Sequence, residues 1–233
     1  MIIEIIYITL IILSTFILGI RLYNLISRNI LNKSILKSNE LVSILIPMRN
    51  EESNVSKCIE SILKQTYTNY EIIVYDDEST DKTLELLKTY ANKNRKLKII
   101  EGQNKPTDWL GKNWACWNLA NEAKGDIFLF IDADVELKEH AIESVLIQIK
   151  KDKVHMLSVF PFQTNLTIGE KITVPSFLMF LYSFLPLGMV KIISGPSIAA
   201  ANGQFMIWQK NAYFETGGHK SCLLYTSPSP RDS

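Results

Sequence analysis

Cysteine is scarce in this 233-residue chain. Cys58, Cys116 and Cys222 are scattered, without the paired spacing of a metal site or a disulfide framework. Cys58 and Cys116 fall in segments of helical periodicity and read as core residues, and the lack of pairing fits a reducing compartment. Excess charge of one sign is also missing, since 25 basic residues face 24 acidic ones. No basic stripe is visible, which excludes nucleic acid as a partner. No glycine-rich loop follows the first apolar strand, which argues against a P-loop kinase or a dinucleotide enzyme. A secretory signal would place basic residues before its apolar run and a small-residue cleavage site after it, and neither is found here.

What is abundant is apolar sequence, at two places. Residues 5–20 are almost all Ile, Leu, Phe, Thr or Ser, with no charge between Glu4 and Arg21. Extended to residue 26, the run is long enough to span a bilayer, and residues 1–27 are expected to form a transmembrane anchor. Arg21, Arg28, Lys33 and Lys37 follow it. The positive-inside tendency then puts the N-terminus outside and the remainder in the cytoplasm, with residues 28–40 as a basic linker. Residues 172–193 form the second apolar stretch, interrupted by Pro175 and Pro186. Two prolines speak against a straight spanning helix. A segment lying on or re-entering the membrane is expected, and a second spanning helix is the alternative.

Between these runs, strand and helix periodicities alternate. Residues 41–46 are a buried-strand run closed by Pro47, and Val55, Cys58, Ile59, Ile62 and Leu63 recur at helical spacing. Residues 70–75 and 97–100 are further strands around a helix carrying Leu84, Leu87 and Ala91. A long irregular loop over residues 102–113 holds Trp109, which argues for order. A helix over 114–123, a strand over 126–131, a helix over 138–150 and strands over 154–160 and 205–208 complete the pattern. Such alternation predicts an α/β domain with a mostly parallel sheet and right-handed crossovers.

The chemistry-bearing residues gather where strands end. The strand at 126–131 runs into Asp132-Ala133-Asp134. Ligands of open α/β sheets bind outside the carboxyl ends of the strands. Hard divalent cations take carboxylate oxygens and are often shared with substrate phosphates. Asp76 and Asp77 end the second strand, and Pro47, Arg49, Asn50 and Glu51 follow the first. Taken singly, each is an ordinary polar turn.

Together they resemble the family 2 glycosyltransferases of the GT-A fold, a Rossmann-like, mostly parallel sheet with flanking helices. Ser43-Ile44-Leu45-Ile46-Pro47-Met48-Arg49-Asn50-Glu51-Glu52 is similar to that family's opening strand and nucleotide loop. Glu71-Ile72-Ile73-Val74-Tyr75-Asp76-Asp77-Glu78-Ser79-Thr80-Asp81 resembles its second strand and acidic turn, with Glu78 where Gly is more usual. Gly125 to Asp134 resembles its metal-binding strand, and the likeness covers residues 41–219. Trp109-Leu110-Gly111-Lys112-Asn113-Trp114-Ala115, Ala201-Asn202-Gly203-Gln204-Phe205-Met206 and Gly217-Gly218-His219 resemble a membrane-bound branch that glycosylates carotenoid acids or accompanies hopanoid synthesis.

The resemblance implies an inverting transfer of a sugar from a nucleoside diphosphate, most simply UDP with Mg²⁺ or Mn²⁺, to a lipid acceptor at a membrane. An enzyme that charges polyprenyl phosphate, or an inactive nucleotide-sugar-binding fragment, is the alternative. It implies that Asp76 or Asp77 holds the nucleobase, the rival role being a helix-capping acidic turn. Asp134 would ligate the ion, and Asp132 the ribose or the ion's waters. Lys112 would add a charge on the phosphates, unless it is a solvated loop lysine. Residues 47–51 would cradle the base largely through backbone groups. Asn118 is a weaker candidate, and Trp114 and Trp117 read as core. In the family an acidic pair supplying the general base follows Gly-Gly-His, whereas after His219 the carboxylate present is Asp232. Residues 220–233 lack periodicity and read as a non-native tail. The natural chain is therefore expected to continue beyond His219, and this one to turn over about 10²–10⁴-fold slowly.

Overall fold

In a computed structural model the described residues are 2–27, 31, 38–102, 105–164, 166–191 and 201–221. The chain divides into two units: Met1–Ile30 with Phe162–Ala201, and Leu31–Pro161 with Asn202–Ser233.

The larger unit is built on six strands: β1 (Val42–Met48), β2 (Tyr70–Asp76), β3 (Leu97–Glu101), β4 (Ile127–Ile131), β5 (Met156–Ser158) and β6 (Phe205–Gln209). Their order in the sheet is β3-β2-β1-β4-β6-β5. β1 pairs in parallel with β2 and β4, and β2 with β3, whereas β6 runs antiparallel to both β4 and β5. The expected parallel half is therefore present, and the second half is mixed. β1 and β4 are buried along their whole length, which is why they read as unbroken apolar runs. β1 continues through Pro47, which the sequence takes as its end. The β1–β4 ladder stops at Leu45↔Phe130, so beyond it β1 has a partner on one side and tolerates a residue without an N–H.

Side chains alternate between two cores. Ile44, Ile46, Ile72, Val74, Leu129 and Ile131 face α2 (Glu52–Leu63), α3 (Thr83–Lys93) and α5 (Ala141–Asp152). Leu45, Ile73, Tyr75, Phe128 and Phe130 face α4 (Gly111–Glu122) and Tyr213 of a later short helix. Burying one such aliphatic or aromatic side chain is worth roughly 1.5–3 kcal/mol, and these two layers hold the sheet rigid behind its strand ends. Several boundaries differ from expectation. α4 begins three residues early, at Gly111, because its first turn can form while Leu110 remains extended. β5 is three residues long, limited by its register with Trp208, Ile207 and Met206 of β6. Residues 38–40, expected in the linker, are tied down. Tyr67 Oη donates to the Glu40 carbonyl at 2.6 Å, and Lys150 pairs with the Glu40 carboxylate at 2.6 Å.

The smaller unit contains α1 (Ile2–Ser27), α6 (Ile168–Phe184) and a 3₁₀ turn at Leu187–Lys191. α1 is long and apolar enough to cross a membrane, and among the described residues it is the helix that meets that test. α6 begins four residues before the expected apolar stretch, because Thr167 and Glu170 form a reciprocal N-terminal cap. It runs on through Pro175, while the Ser176 hydroxyl donates to the Ile172 carbonyl at 2.6 Å in the same turn. Two short helices, α7 (Lys210–Glu215) and α8 (Gly218–Ser221), close the described chain. Residues 222–233, which include Cys222 and most of the expected tail, lie outside the described residues.

Candidate functional site

The carboxyl ends of β1, β2 and β4 lie side by side, so the three polar stretches share one edge of the sheet. The Asp77 N–H donates to the Met48 carbonyl at 2.8 Å, extending the β1–β2 ladder by one bond. Asp76 and Asp77 are 3% and 8% exposed. The Ser79 N–H donates to Asp76 Oδ2 at 3.3 Å, while Asp76 Oδ1 is buried with no hydrogen-bond partner. A buried polar atom left unmatched costs about 1–3 kcal/mol, more when charged, so this oxygen marks a place where a donor is missing. Arg49 lies 3.9 Å from the Asp77 carboxylate. Gly102 closes the far side: its N–H donates to the Asp76 carbonyl at 2.7 Å, and a Cβ there would stand 2.7 Å from that oxygen.

Asn50 and Glu51 do something other than offer backbone donors. The Asn50 N–H donates to Ser79 Oγ at 3.0 Å and the Glu51 N–H to Thr83 Oγ1 at 2.8 Å. Asn50 Oδ1 accepts from the Thr80 N–H at 2.8 Å. The two residues stitch the β1–α2 loop to the β2–α3 loop, so the expected backbone cradle is already committed at these two N–H groups. Asn50 and Glu78 both adopt left-handed backbone, with φ of 55° and 53°. That geometry suits Asn and Gly, and it accounts for the position at which Glu78 replaces a glycine. Pro47 is buried within β1.

The β4 end carries the second cluster. Asp132 is half-buried and its N–H donates to the Gln204 carbonyl at 3.1 Å, so the residue just before β6 holds it. Its Oδ1 is 2.5 Å from Lys112 Nζ. Lys112 therefore sits in the first turn of α4, paired, where the sequence places it in a loop. A cation near a helix N-terminus is opposed by the helix dipole by about 0.3–1 kcal/mol, and Asp132 offsets that. Asp134 is exposed and, among the described residues, forms no ion pair. The buried Cys58 thiol senses this acidic edge. Burial pushes it up to about 12, and Asp134, Glu51, Glu136 and Asp132 add to the rise.

The burial of His219 and the crowding at Gly218 escaped the sequence. His219 is 9% exposed and packs edge-on against Phe130, with ring centroids 4.8 Å apart. Tyr213 Oη lies 2.9 Å from His219 Nδ1 and accepts the His219 N–H at 3.3 Å. His219 shares this bond with the Tyr213 hydroxyl, and the imidazole tautomer sets which of the two donates. Burial, and then the Lys112 charge, bring its pKa down to about 4. Gly218 has φ +46°, and a Cβ there would meet the Tyr213 ring at 2.4–2.7 Å, which explains the glycine pair before His219. Trp109 is buried and lies edge-on to Trp114 at 5.1 Å, with Trp117 at 6.1 Å, so the long loop is ordered at that point as expected. Asn118 Nδ2 donates to the Trp114 carbonyl of its own helix at 2.8 Å, which takes it out of the cluster.

A family model described as "Glycosyl transferase family 2" matches residues 43–208. The chain belongs to that family. Its six-stranded mixed sheet is the GT-A fold, and the mannosyltransferase PcManGT from Pyrobaculum calidifontis, solved with GDP-Man and Mn²⁺, superposes with a TM-score of 0.62 at 18% identity. That match covers 89% of this chain and 57% of the other. Staphylococcus aureus TarS (residues 1–349) in complex with UDP-GlcNAc superposes with a TM-score of 0.52 at 20% identity, over 75% of this chain and 47% of that one. Among curated relatives, a 4,4'-diaponeurosporenoate glycosyltransferase of Staphylococcus haemolyticus is 29% identical over 81% of this chain and 49% of its own length. The glycosyltransferase GlyG of Streptococcus pneumoniae is 33% identical over 48% of this chain and 36% of its own. The chain spans about half the length of the staphylococcal relative.

The family 2 chemistry raises the matter of a divalent ion. Among the described residues no three His, Cys, Asp or Glu side chains converge as a complete cage. Mg²⁺ is commonly held by one or two carboxylates with substrate phosphates. Asp134, exposed and without an ion pair beside a negatively charged edge, fits that smaller requirement.

Proposed function

We propose that the protein transfers a sugar from a nucleoside-diphosphate donor, UDP-linked in the simplest case, to a lipid acceptor such as a carotenoid or other isoprenoid, with inversion at the sugar. The observation that carries the nucleotide half is the buried, unpartnered Asp76 Oδ1. An acceptor fixed at the end of β2 would bond the ring N–H of a base. Asp77, with Arg49 beside it, and Pro47 would flank that base. Asn50 and Glu51 would act indirectly, by holding the two loops together.

Asp134, with Asp132 next to it, would hold Mg²⁺ or Mn²⁺, which neutralises a diphosphate leaving group as a Lewis acid. Lys112, at present paired to Asp132, would place its ammonium against the same phosphates as a point charge. The metal reading is supported by the Mn²⁺ in the structurally similar mannosyltransferase. The acceptor reading is supported by the staphylococcal relatives named for 4,4'-diaponeurosporenoate. α1 would anchor the enzyme, and the basic residues after it would keep the catalytic unit on the cytoplasmic face.

The test is calorimetric titration of UDP into the detergent-purified chain with Mn²⁺, with EDTA, and in Asp134→Ala. Binding that needs both the metal and Asp134 is expected. UDP affinity that is unchanged by EDTA and by Asp134→Ala would remove the metal site, and GDP binding in place of UDP would correct the donor.

A further inference from the structure

Within the smaller unit, Asn24 is 5% exposed although it lies in a helix whose other side chains are mostly exposed and apolar. Its Nδ2 donates to the Tyr182 carbonyl at 2.9 Å and to the Leu185 carbonyl at 2.7 Å, and its Oδ1 accepts the Leu187 N–H at 2.9 Å. The last carbonyls of a helix have no partner inside it. Asn24 supplies that partner for α6 from another helix and also holds the first residue of the 3₁₀ turn. Arg21 Nε donates to Ser183 Oγ at 2.7 Å one turn away. At Gly188 a Cβ would stand 2.5 Å from Ser27 Oγ and 2.9 Å from Tyr23 Oη, so the turn and α1 meet at a point where only glycine fits.

These contacts all fall in the last seven residues of α1, from Arg21 to Ser27. That is the end next to the basic sequence, where a spanning helix leaves the hydrocarbon. α6 itself is unlike a helix facing water. Ile168, Ile172, Phe177, Phe180 and Phe184 are each more than half exposed, and charge is confined to Glu170 and Lys171 near its start. A helix apolar over much of its circumference belongs in a core or in a membrane. At 17 residues and about 1.5 Å per residue it is about 25 Å long, short of the roughly 30 Å of hydrocarbon.

We infer that α6 and the 3₁₀ turn are embedded in the membrane leaflet at which α1 ends, with bilayer lipid covering their apolar surface and Asn24 pinning them there. The proposal rests on the reading of α1 as the anchor. Away from water, unmatched carbonyls at the end of α6 have no solvent to turn to, which makes a bonding side chain from α1 worth retaining. The insertion lies between β5 and β6, and the chain leaves it at Asn202. There the Asn202 N–H donates to Ser158 Oγ at 2.7 Å, two residues before Gln204, whose carbonyl holds Asp132.

The test uses the full chain reconstituted in phosphatidylcholine–phosphatidylglycerol vesicles, with Cys222→Ser and the buried Cys58 and Cys116 left in place. Single spin labels are attached at Ile11→Cys in α1, Phe180→Cys in α6 and Lys57→Cys as a water-exposed control. Collision with oxygen, which partitions into lipid, is compared with collision with a water-soluble nickel chelate. The oxygen-to-chelate ratio at Phe180 should exceed that at Lys57 several-fold and stay below that at Ile11. Asn24→Leu should lower the Phe180 ratio towards the control while leaving Ile11 unchanged. A wet Phe180 label with a dry Ile11 label overturns the inference and leaves the anchor standing. Wet labels at both positions overturn the two together. A Phe180 label shielded from both reagents means that protein, such as a second copy, covers α6, and refutes lipid contact. A Phe180 ratio unmoved by Asn24→Leu removes Asn24 as the pin.

Discussion

Replacing Asp76 by asparagine should move stability and nucleotide affinity in different directions. Asp76 is 3% exposed, and one of its two oxygens has a single 3.3 Å bond from the Ser79 N–H while the other has none. A buried polar atom without a hydrogen bond costs about 1–3 kcal/mol, and a charged one costs more, so holding a carboxylate in that state is costlier than holding a neutral amide. An asparagine keeps an oxygen for the Ser79 N–H, and its NH₂ takes the vacant position at a smaller desolvation cost than a charged oxygen. The expected gain is small, from zero to about 1 kcal/mol, or a Tm rise of up to about 4 °C for a chain of this size. Binding should go the other way. A hydrogen bond to a charged acceptor is worth about 1.5–3 kcal/mol, so at about 1.4 kcal/mol per decade UDP should bind roughly 10- to 150-fold more weakly. Thermal unfolding followed by circular dichroism and calorimetric titration of UDP with Mn²⁺ read the two effects on one preparation. A Tm lowered by more than about 4 °C together with unchanged UDP affinity would refute the reasoning and make Asp76 a structural acid.

Three further outcomes follow from the same geometry. Tyr213→Phe removes the hydroxyl that serves both His219 Nδ1 and the His219 N–H. Leaving those buried groups unmatched should cost about 1–3 kcal/mol, read from the urea midpoint. His219 has its pKa lowered from 6.5 to about 4 in the folded chain, so between those values the unfolded chain binds the extra proton. Stability should therefore be complete above about pH 6.5, fall as pH drops towards 4 and level off below it, with this residue's slope at most about 1.4 kcal/mol per pH unit. Denaturant midpoints measured across that range should show the slope flatten in His219→Gln. At Gly125 a Cβ would lie 2.5 Å from the Leu41 carbonyl and 2.7 Å from Ser43 Oγ. Gly125→Ala should lower stability by at least about 1–3 kcal/mol through overpacking, and an unchanged urea midpoint would show that the β4 entry can shift.

Much of this molecule is written locally. The apolar runs that become β1, β2 and β4, the helical spacing of α2 and α5, and the acids at Asp76 and Asp132 can each be read within a dozen residues. Side-chain periodicity and turn chemistry are short-range properties of the backbone, so they survive in a single sequence. Alternation of strand and helix then implies a parallel sheet, and a parallel sheet aligns its carboxyl ends, which is why the position of the candidate site was also legible. Tertiary structure decided the rest, because it depends on partners far away along the chain. β6 enters antiparallel between β4 and β5, and the residue just before it fixes Asp132 through the Gln204 carbonyl. Lys112 finds Asp132 across 20 residues, and Asn24 finds the end of α6 across about 160. Asn50 and Glu51 look like ligand-binding residues by position, yet their N–H groups are consumed by a loop 30 residues on. A polar side chain states in sequence what it could bond. Which partner comes within 3 Å is settled only when the sheet closes and water is excluded.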